Sequence, residues 1–462
     1  MARIAYYREL LKNDLLRRIS SVTDVLSGED LLAAVAAKGY HWRDRIWNPV
    51  LTFWTFLVQV LHPGSSCREA VAQVLAEEAA ELQRRISPDA SAYCQARQRV
   101  PLSVFKAALR KVGRCLWDKA QDRYLWHGRR VRLVDGSSCS MPDTPELQAE
   151  FGQPDGQKPG CGFPVARIVA MFCWATGAVL DVVIGPYRSS ELRLVGQLWA
   201  HLERGDIVLA DRFYCTYVVL AELLQRGCDG LFRLHGGRCR RMDFREGHRL
   251  GRNDRLMTWQ RPTICPRGLS REQWMALPEH LVLRVIRFHT QVPGFRSRTI
   301  LVATTLLDAN AYPLQEIAGL YGDRWIVELR LRDIQTTLQM DILRSKSPDV
   351  VRKEILMHLL AYNLIRALMW QAAEKHGQPL HRLSFAGTVQ RLDALAPYLW
   401  LYAGSRRARV LYELLLEWIA RDKLPCRPHR IEPRAVKRRP KKYARLNKPR
   451  HQLRRALLRR TA

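Results

Sequence analysis

Two short strand-like runs, Val131-Arg132-Leu133-Val134 and Ile207-Val208-Leu209-Ala210, each end on an aspartate, Asp135 and Asp211. Runs of this length and β-branched content predict strands buried in a sheet. A third acid, Glu328, lies in YGDRWIVELR. There Val327, Leu331, Ile334 and Leu338 recur at steps of four, three and four, the apolar stripe of a helix packed on a core. A chain that holds carboxylates on two strands and one helix is constrained to a mixed α/β layer.

The surrounding texture agrees. RRVRLVDGS, ARIVAMFCWA and AVLDVVIGPY read as three strands joined by glycine-containing turns. A helix (SSELRLVGQLWAHLER), the strand DIVLAD, a second helix (YVVLAELLQRG) and the strand GLFRLH follow. Between 235 and about 310 helical periodicity vanishes. Arg-rich turns lead to two strands, LVLRVIRFH and SRTILVATTL, with the turn VPGF between them.

Helical patterns dominate both flanks. EDLLAAVAAKG, SCREAVAQVLAEEAAELQRRI and SVFKAALRKVGRCLWDKA carry three- and four-residue spacings, broken at Pro63-Gly64 and Ser87-Pro88. SPDASAYCQARQRVP places Gln95, Arg97, Gln98 and Arg99 along a helix suited either to a DNA groove or to a solvated face. From Arg324 onward the helices continue through 352–376 and 407–420. The expected organisation is a helical N-terminal domain (1–125) suited to binding DNA ends, an α/β core in two parts (126–234 and 311–376) and a β-rich insertion (235–310). A helical C-terminal region (377–420) and a basic tail (421–462) complete it.

Charge points to a polyanionic partner. The 462 residues hold 75 Lys and Arg against 44 Asp and Glu, a net charge of +31, and such an excess favours nucleic acid through counterion release. The tail contributes 17 Lys and Arg against Asp422 and Glu432, and its composition predicts disorder until it meets nucleic acid. A membrane reading fails: VLTFWTFLVQVL and ILMHLLAYNLIRALMW are shorter than the roughly 20 residues a span needs, and His358, Asn363 and Arg366 interrupt the second. The N-terminus does not read as a signal peptide. Eleven cysteines occur singly, without CxxC or Cys/His pairs. That pattern excludes a zinc ribbon or disulfide scaffold and suits a reducing cytoplasm.

Acids converging from two strands and a helix supply what two-metal chemistry on a phosphodiester requires: oxygen ligands for ions that activate the attacking oxygen and stabilise the leaving one. Singly, each motif has an ordinary alternative. Asp135-Gly136 can be a turn, Asp211-Arg212 a surface ion pair, and Glu328 a partner of Arg324 or Arg332 one helical turn away. Their order within one α/β layer argues against coincidence. Glu191 is a candidate for support of the site or for a helix start. Trp259 and Trp274, in the insertion, are candidates for stacking an unpaired base or for the core. No HExxH, Walker A or GxSxG motif is present.

With these motifs the chain resembles DDE transposases of the insertion sequence 4 family. Those carry Asp-Gly-Ser/Thr after the first strand, Asp-Arg after a later one, and a Tyr-x-x-Arg-x-x-x-Glu-x-x-x-x-x-x-Lys signature. Here the signature reads Tyr321, Arg324, Glu328 and Gln335, with glutamine in place of lysine. The likeness spans roughly 20–375. It implies a ribonuclease-H-like core binding Mg²⁺, with Mn²⁺ able to substitute, through Asp135, Asp211 and Glu328. It implies DNA contacts at Tyr321, Arg324, Arg212 and position 335, with Arg97 a further candidate. Double-stranded DNA at transposon inverted repeats and at the target, a homodimer in synapsis, hairpin formation during excision, and a bacterial cytoplasmic, nucleoid-associated setting follow from the same likeness. A nuclease that cuts without joining, or a non-catalytic domesticated DNA binder, would share much of this pattern. Helical spacing alone sets Arg324, Glu328 and Gln335 on one face.

Overall fold

The structure is a computed structural model. It describes residues 25–42, 46–62, 64–82, 87–119, 124–156, 158, 160–266, 268–289, 299–402, 404–425 and 446–459. One nine-stranded sheet organises it. The strands are β1 (Val131–Ser140), β2 (Val165–Cys173), β3 (Val179–Pro186), β4 (Ile207–Ala210), β5 (Asp229–Arg233), β6 (His248–Gly251), β7 (Asp254–Gln260), β8 (His280–His289) and β9 (Thr299–Thr304). Their order is β3-β2-β1-β4-β5-β9-β8-β7-β6. The pairs β1–β2 and β2–β3 are antiparallel, while β1–β4 and β4–β5 are parallel. β9 joins β5 antiparallel, so the insertion strands prolong the same sheet.

Apolar cores cover both faces, which is why β2, β4 and the first four residues of β1 are rich in apolar residues. One face carries Leu133, Ile168, Ala170 and Leu209, and packs with Val327, Leu331 and the long helix Pro348–Lys375. The other carries Val134, Val169, Met171 and Val208, and packs with Trp199, Tyr214 and Leu220. Proline at its first turn starts the long helix. Gly377, at φ 60°, follows its end. Twenty-two of its residues are buried, including His358, Asn363 and Arg366. Asn363 explains its own burial: its amide oxygen accepts from Val179 N at 2.7 Å and its nitrogen donates to Val179 O at 2.8 Å. No helix of the described residues is long and apolar enough to cross a membrane.

Buried cations tie the layers together. Arg284, fully buried, grips Asp254 and donates to the carbonyls of Asp308 and Tyr312, joining β8 to β7 and to the approach to the helix Leu314–Gly322. Removing one partner of such a buried pair typically costs about 3–5 kcal/mol. Lys353 donates to the carbonyls of Arg97 and Gln98, capping the helix Ser91–Arg99 from the long helix.

Several expectations change. Asp135-Gly136 is no turn: β1 runs five residues past Asp135, to Ser140. The segment expected as one helix around 189–204 is a short α-helix, Glu191–Val195, followed by a 3-10 turn, Gly196–His201. The Arg-rich turns after 235 contain the β6–β7 hairpin and two short helices, whose residues alternate too weakly to be read from sequence. The VPGF turn lies outside the described residues. Within the tail, Arg450–Leu458 is helical, and 426–445 lie outside the described residues.

Candidate active site

The register of β1 and β4 aligns Val131 with Ile207 and Leu133 with Leu209. Two residues further on each chain come Asp135 and Asp211. The two-residue period of a strand puts Asp135 on the face of Val131 and Leu133, and Asp211 on the face of Ile207 and Leu209. That face is the one covered by Val327, Leu331 and Ile334. Glu328 lies on the same helix, Trp325–Arg332. All three acids are near enough for the Asp211 and Glu328 charges to act on Asp135.

Local bonds hold each carboxylate. Gly136 N donates to Asp135 Oδ1 at 2.8 Å, and Phe213 N donates to Asp211 Oδ1 at 2.8 Å. Arg324 Nη2 donates to Glu328 Oε1 at 2.7 Å. Burial pushes the Asp135 carboxyl up to about 7, with the Asp211 and Glu328 charges adding to the shift while the Gly136 N–H and Arg324 oppose it. Burial works against the Arg324 charge too, yet Tyr321, Glu328 and Asp135 hold its pKa above the ordinary arginine value. Tyr321 is buried, and burial raises its hydroxyl to about 12. Among the described residues no group of three His, Cys, Asp or Glu side chains is drawn together tightly enough to hold a metal by itself. The acids repel one another, and Glu328 is engaged by Arg324.

The signature segment is not one straight helix. Tyr321 lies in the last turn of the preceding helix, Leu314–Gly322, and Asp323 and Arg324 form a tight junction through bonds such as Ile326 N to Asp323 O at 2.9 Å. Trp174 Nε1 holds Asp323 Oδ2 at 3.1 Å. After Arg332 the backbone widens into a π turn, Asp333–Thr337. Gln335 thus departs from the simple four-and-seven spacing. Its Nε2 donates to Ser137 Oγ at 2.5 Å and to Ser138 O at 3.2 Å. The expected apolar stripe survives, since Val327, Leu331, Ile334 and Leu338 are all buried.

Glu191 approaches β1 from the opposite face. A Cβ on Gly136 would lie 2.5 Å from Glu191 Oε2, so the glycine of the Asp-Gly pair makes room for this carboxylate. Arg167 donates to Glu191 Oε1 at 3.0 Å and the buried Tyr214 hydroxyl lies 3.4 Å from Oε2. Glu191 also starts its helix. Sequence reading missed Arg167 and Tyr214. The signals were a lone charge in the apolar run VARIVAMFC and a tyrosine three residues after Asp211.

Three candidates are relocated. Arg97 is buried: its guanidinium lies 4.4 Å from the Phe56 ring centroid, donates to Gln59 Oε1 at 3.1 Å, and lines a cavity of about 530 Å³ with Glu354 and His358. It cannot reach a DNA groove, whereas Gln95, Gln98 and Arg99 on the same helix are exposed. Trp259 and Trp274 are buried in the second core, with Arg238 stacked 3.9 Å from the Trp259 ring, so neither presents a face to an extruded base. Exposed aromatics occur instead beside the acids, at Phe213 and Trp325. Arg212 is exposed next to Asp211.

A mixed sheet bearing this ordered acid triad defines a class, and comparison with known proteins agrees with it. Residues 126–364, which contain the triad and the whole signature, match the family described as "Transposase DDE domain". The chain is a DDE transposase, a DNA-processing polynucleotidyl transferase, and belongs within that class to the insertion sequence 4 family. It is 29% identical over 364 residues to "Transposase InsG for insertion sequence element IS4" of Escherichia coli K12, covering 76% of this chain and 77% of that one. To "Putative transposase InsZ" of the same organism it is 33% identical over 143 residues, 30% of this chain and 47% of that relative. A solved structure, the cryo-EM piggyBac transposase synaptic complex with hairpin DNA, aligns over 87% of this chain and 85% of that one at 10% identity and a TM-score of 0.44.

Proposed function

We propose that this transposase cuts DNA at the terminal inverted repeats of its own element and joins the freed 3′ ends to target DNA through Asp135, Asp211 and Glu328. The observation that carries the assignment is the common face: two aspartates on neighbouring parallel strands beneath the helix that bears the glutamate. The strand order β3-β2-β1-β4-β5, with only β2 reversed, supports reading this part of the sheet as a ribonuclease-H-like core.

The donor set is all carboxylate oxygen, which suits Mg²⁺ or Mn²⁺, and the charges of Asp211 and Glu328 act on the buried Asp135 carboxyl. When bound, the metal supplies an activated oxygen nucleophile and stabilises the leaving oxygen. Asp135, Asp211 and Glu328 are the residues that would hold it. Arg324, bonded to Glu328 in the structure, would hold a neighbouring phosphate by charge-assisted bonds when Glu328 serves the metal. Glu191, braced by Arg167, steadies β1 from behind. Hairpin formation on the transposon end and pairing of two protomers in synapsis belong to the same proposal.

Purified protein, an end-containing duplex and Mg²⁺ are expected to give nicked, then hairpin and joined products. Loss of all of them in Asp135→Ala, Asp211→Ala and Glu328→Ala, with DNA binding retained, supports the assignment. Unchanged products in the three variants overturn it. Hydrolysed ends alone from the wild type would leave a nuclease rather than a transposase.

A further inference from the structure

We propose that the C-terminal basic helix, Arg450–Leu458, is a second DNA clamp, gripping the duplex beyond the end of β1, away from the cleaved bond. The proposal rests on the functional reading above, which places cleavage at Asp135. Lys448, Arg450, Arg454, Arg455 and Arg459 are all exposed, and no acid occurs from 446 to 459.

The helix is seated rather than adrift. Arg450 Nε lies 3.4 Å from Asp143 Oδ2, and Pro449 packs on Gly160, where an added Cβ would come within 3.1 Å of the Pro449 Cβ. Asp143 follows the end of β1 and Gly160 precedes β2, which pairs with β1 there (Ser140 opposite Val165), so both contacts fall at the same end of the strand pair. β1 itself links that end to the catalytic centre. From Asp135 to Ser140 the strand advances five residues, about 17 Å at roughly 3.3–3.4 Å each. Duplex DNA rises about 3.4 Å per base pair, so the same length covers about five base pairs.

Polar and basic groups mark the path between the two ends. Gln335 sits on Ser137 and Ser138. Next, Leu343 N bonds Ser140 O at 2.8 Å. The exposed Lys346 comes beyond it, with its carbonyl accepting from Thr144 Oγ1 at 3.2 Å, one residue from the Asp143 that holds Arg450. Where the family signature has a lysine, this chain has a neutral amide bonded to its own strand. The basic helix supplies cationic groups for phosphates beyond the end of β1. Double-stranded DNA is the partner because the groups are guanidinium and ammonium, with Arg450 alone shown meeting an acid, Asp143, and no acid within 446–459. The duplex concerned lies either inside the transposon end or in the flanking DNA.

Full-length Arg454→Glu/Arg455→Glu protein tests this, with thermal melting to confirm that the fold is kept. Three duplexes are titrated: one ending near the cleavage position, one extended by ten base pairs into the element, and one extended equally into the flank. The variant is expected to bind one extended duplex at least tenfold more weakly than the wild type does, with its salt dependence reduced by about two phosphate contacts. Binding and nicking of the short duplex are expected to change less than twofold, and the arm affected identifies the DNA concerned. Equal losses on all three duplexes, or on both arms, would show a general charge effect and overturn the clamp. So would no loss on any, including the case in which the substitutions weaken only adsorption to anionic phosphatidylserine vesicles. Wild-type nicking of the short duplex, measured alongside, reports on the catalytic assignment independently.

Discussion

Gln335 Nε2 stands 2.5 Å from Ser137 Oγ, two residues along β1 from Asp135 and on the same face of that strand. The amide that replaces the family lysine is therefore tied to the catalytic strand. Gln335→Lys frees a cation at the edge of the site. Binding of an end duplex is expected to tighten severalfold at low salt, and the logarithmic salt slope to steepen by about one contact. Loss of the two hydrogen bonds is expected to lower stability by about 1–2 kcal/mol. Fluorescence anisotropy across a salt series, with denaturant melts, measures both.

Asp135 carries a pH signature. Its folded pKa, about 7, lies above the ordinary aspartate value because of burial and, secondarily, the neighbouring acids. The folded state thus binds this proton more tightly than the unfolded state. Stability contributed by the neutral carboxyl is present at low pH, declines as pH rises from about 4 to about 7, and is gone above it. Asp135→Asn keeps a neutral group throughout. Without divalent metal at pH 8, the variant is expected to melt higher than the wild type, by a few kcal/mol at most, while nicking is abolished. Adding Mg²⁺ is expected to stabilise the wild type more than the variant. Thermal melts from pH 4 to 8, with and without Mg²⁺, report the result.

Gly136→Ala tests the support behind β1. The new methyl meets the Glu191 carboxylate, the movable end of a side chain, so the fold is expected to persist with a modest loss of stability. Displacing Glu191 from Arg167 and Tyr214 is expected to slow nicking at least tenfold with little change in DNA affinity. Glu191→Gln, which keeps the shape, is expected to recover part of the rate. Single-turnover nicking with the three proteins separates positioning from binding.

The buried tryptophans make a contrasting case. Trp259→Ala removes a large core side chain under Arg238 and is expected to destabilise by about 3–5 kcal/mol, leaving the per-molecule nicking rate of the folded fraction near normal. A selective loss of hairpin product at full stability would instead assign base stacking to this ring.

Much of this was legible in the sequence because it depended on local pattern. The strands beginning at Val131 and Ile207, the apolar stripe from Val327 to Leu338 and the mixed α/β layer follow from periodicity, although β1 runs on past Asp135 to Ser140. Pairing was not legible. Nothing in the sequence around Arg97 shows that Phe56 and Gln59 receive it, since those lie on another helix. The π turn at Asp333–Thr337 leaves the residue spacing unchanged while altering the geometry that spacing implies. Gly136 read as a turn signal, yet its small size serves Glu191 across the sheet. The β6–β7 hairpin is mostly exposed or half-buried, so it lacks the alternation that betrays a strand.

Convergence of Asp135, Asp211 and Glu328 on a bound metal is the central claim. Replacing Mg²⁺ by Fe²⁺ with ascorbate and peroxide generates radicals at the metal, and mass spectrometry of the cleaved protein locates the ligands. Cuts are expected within a few residues of all three positions, suppressed together by excess Mg²⁺ and lost in Asp135→Asn. Cuts confined to other parts of the chain, or insensitive to Mg²⁺, would contradict the account.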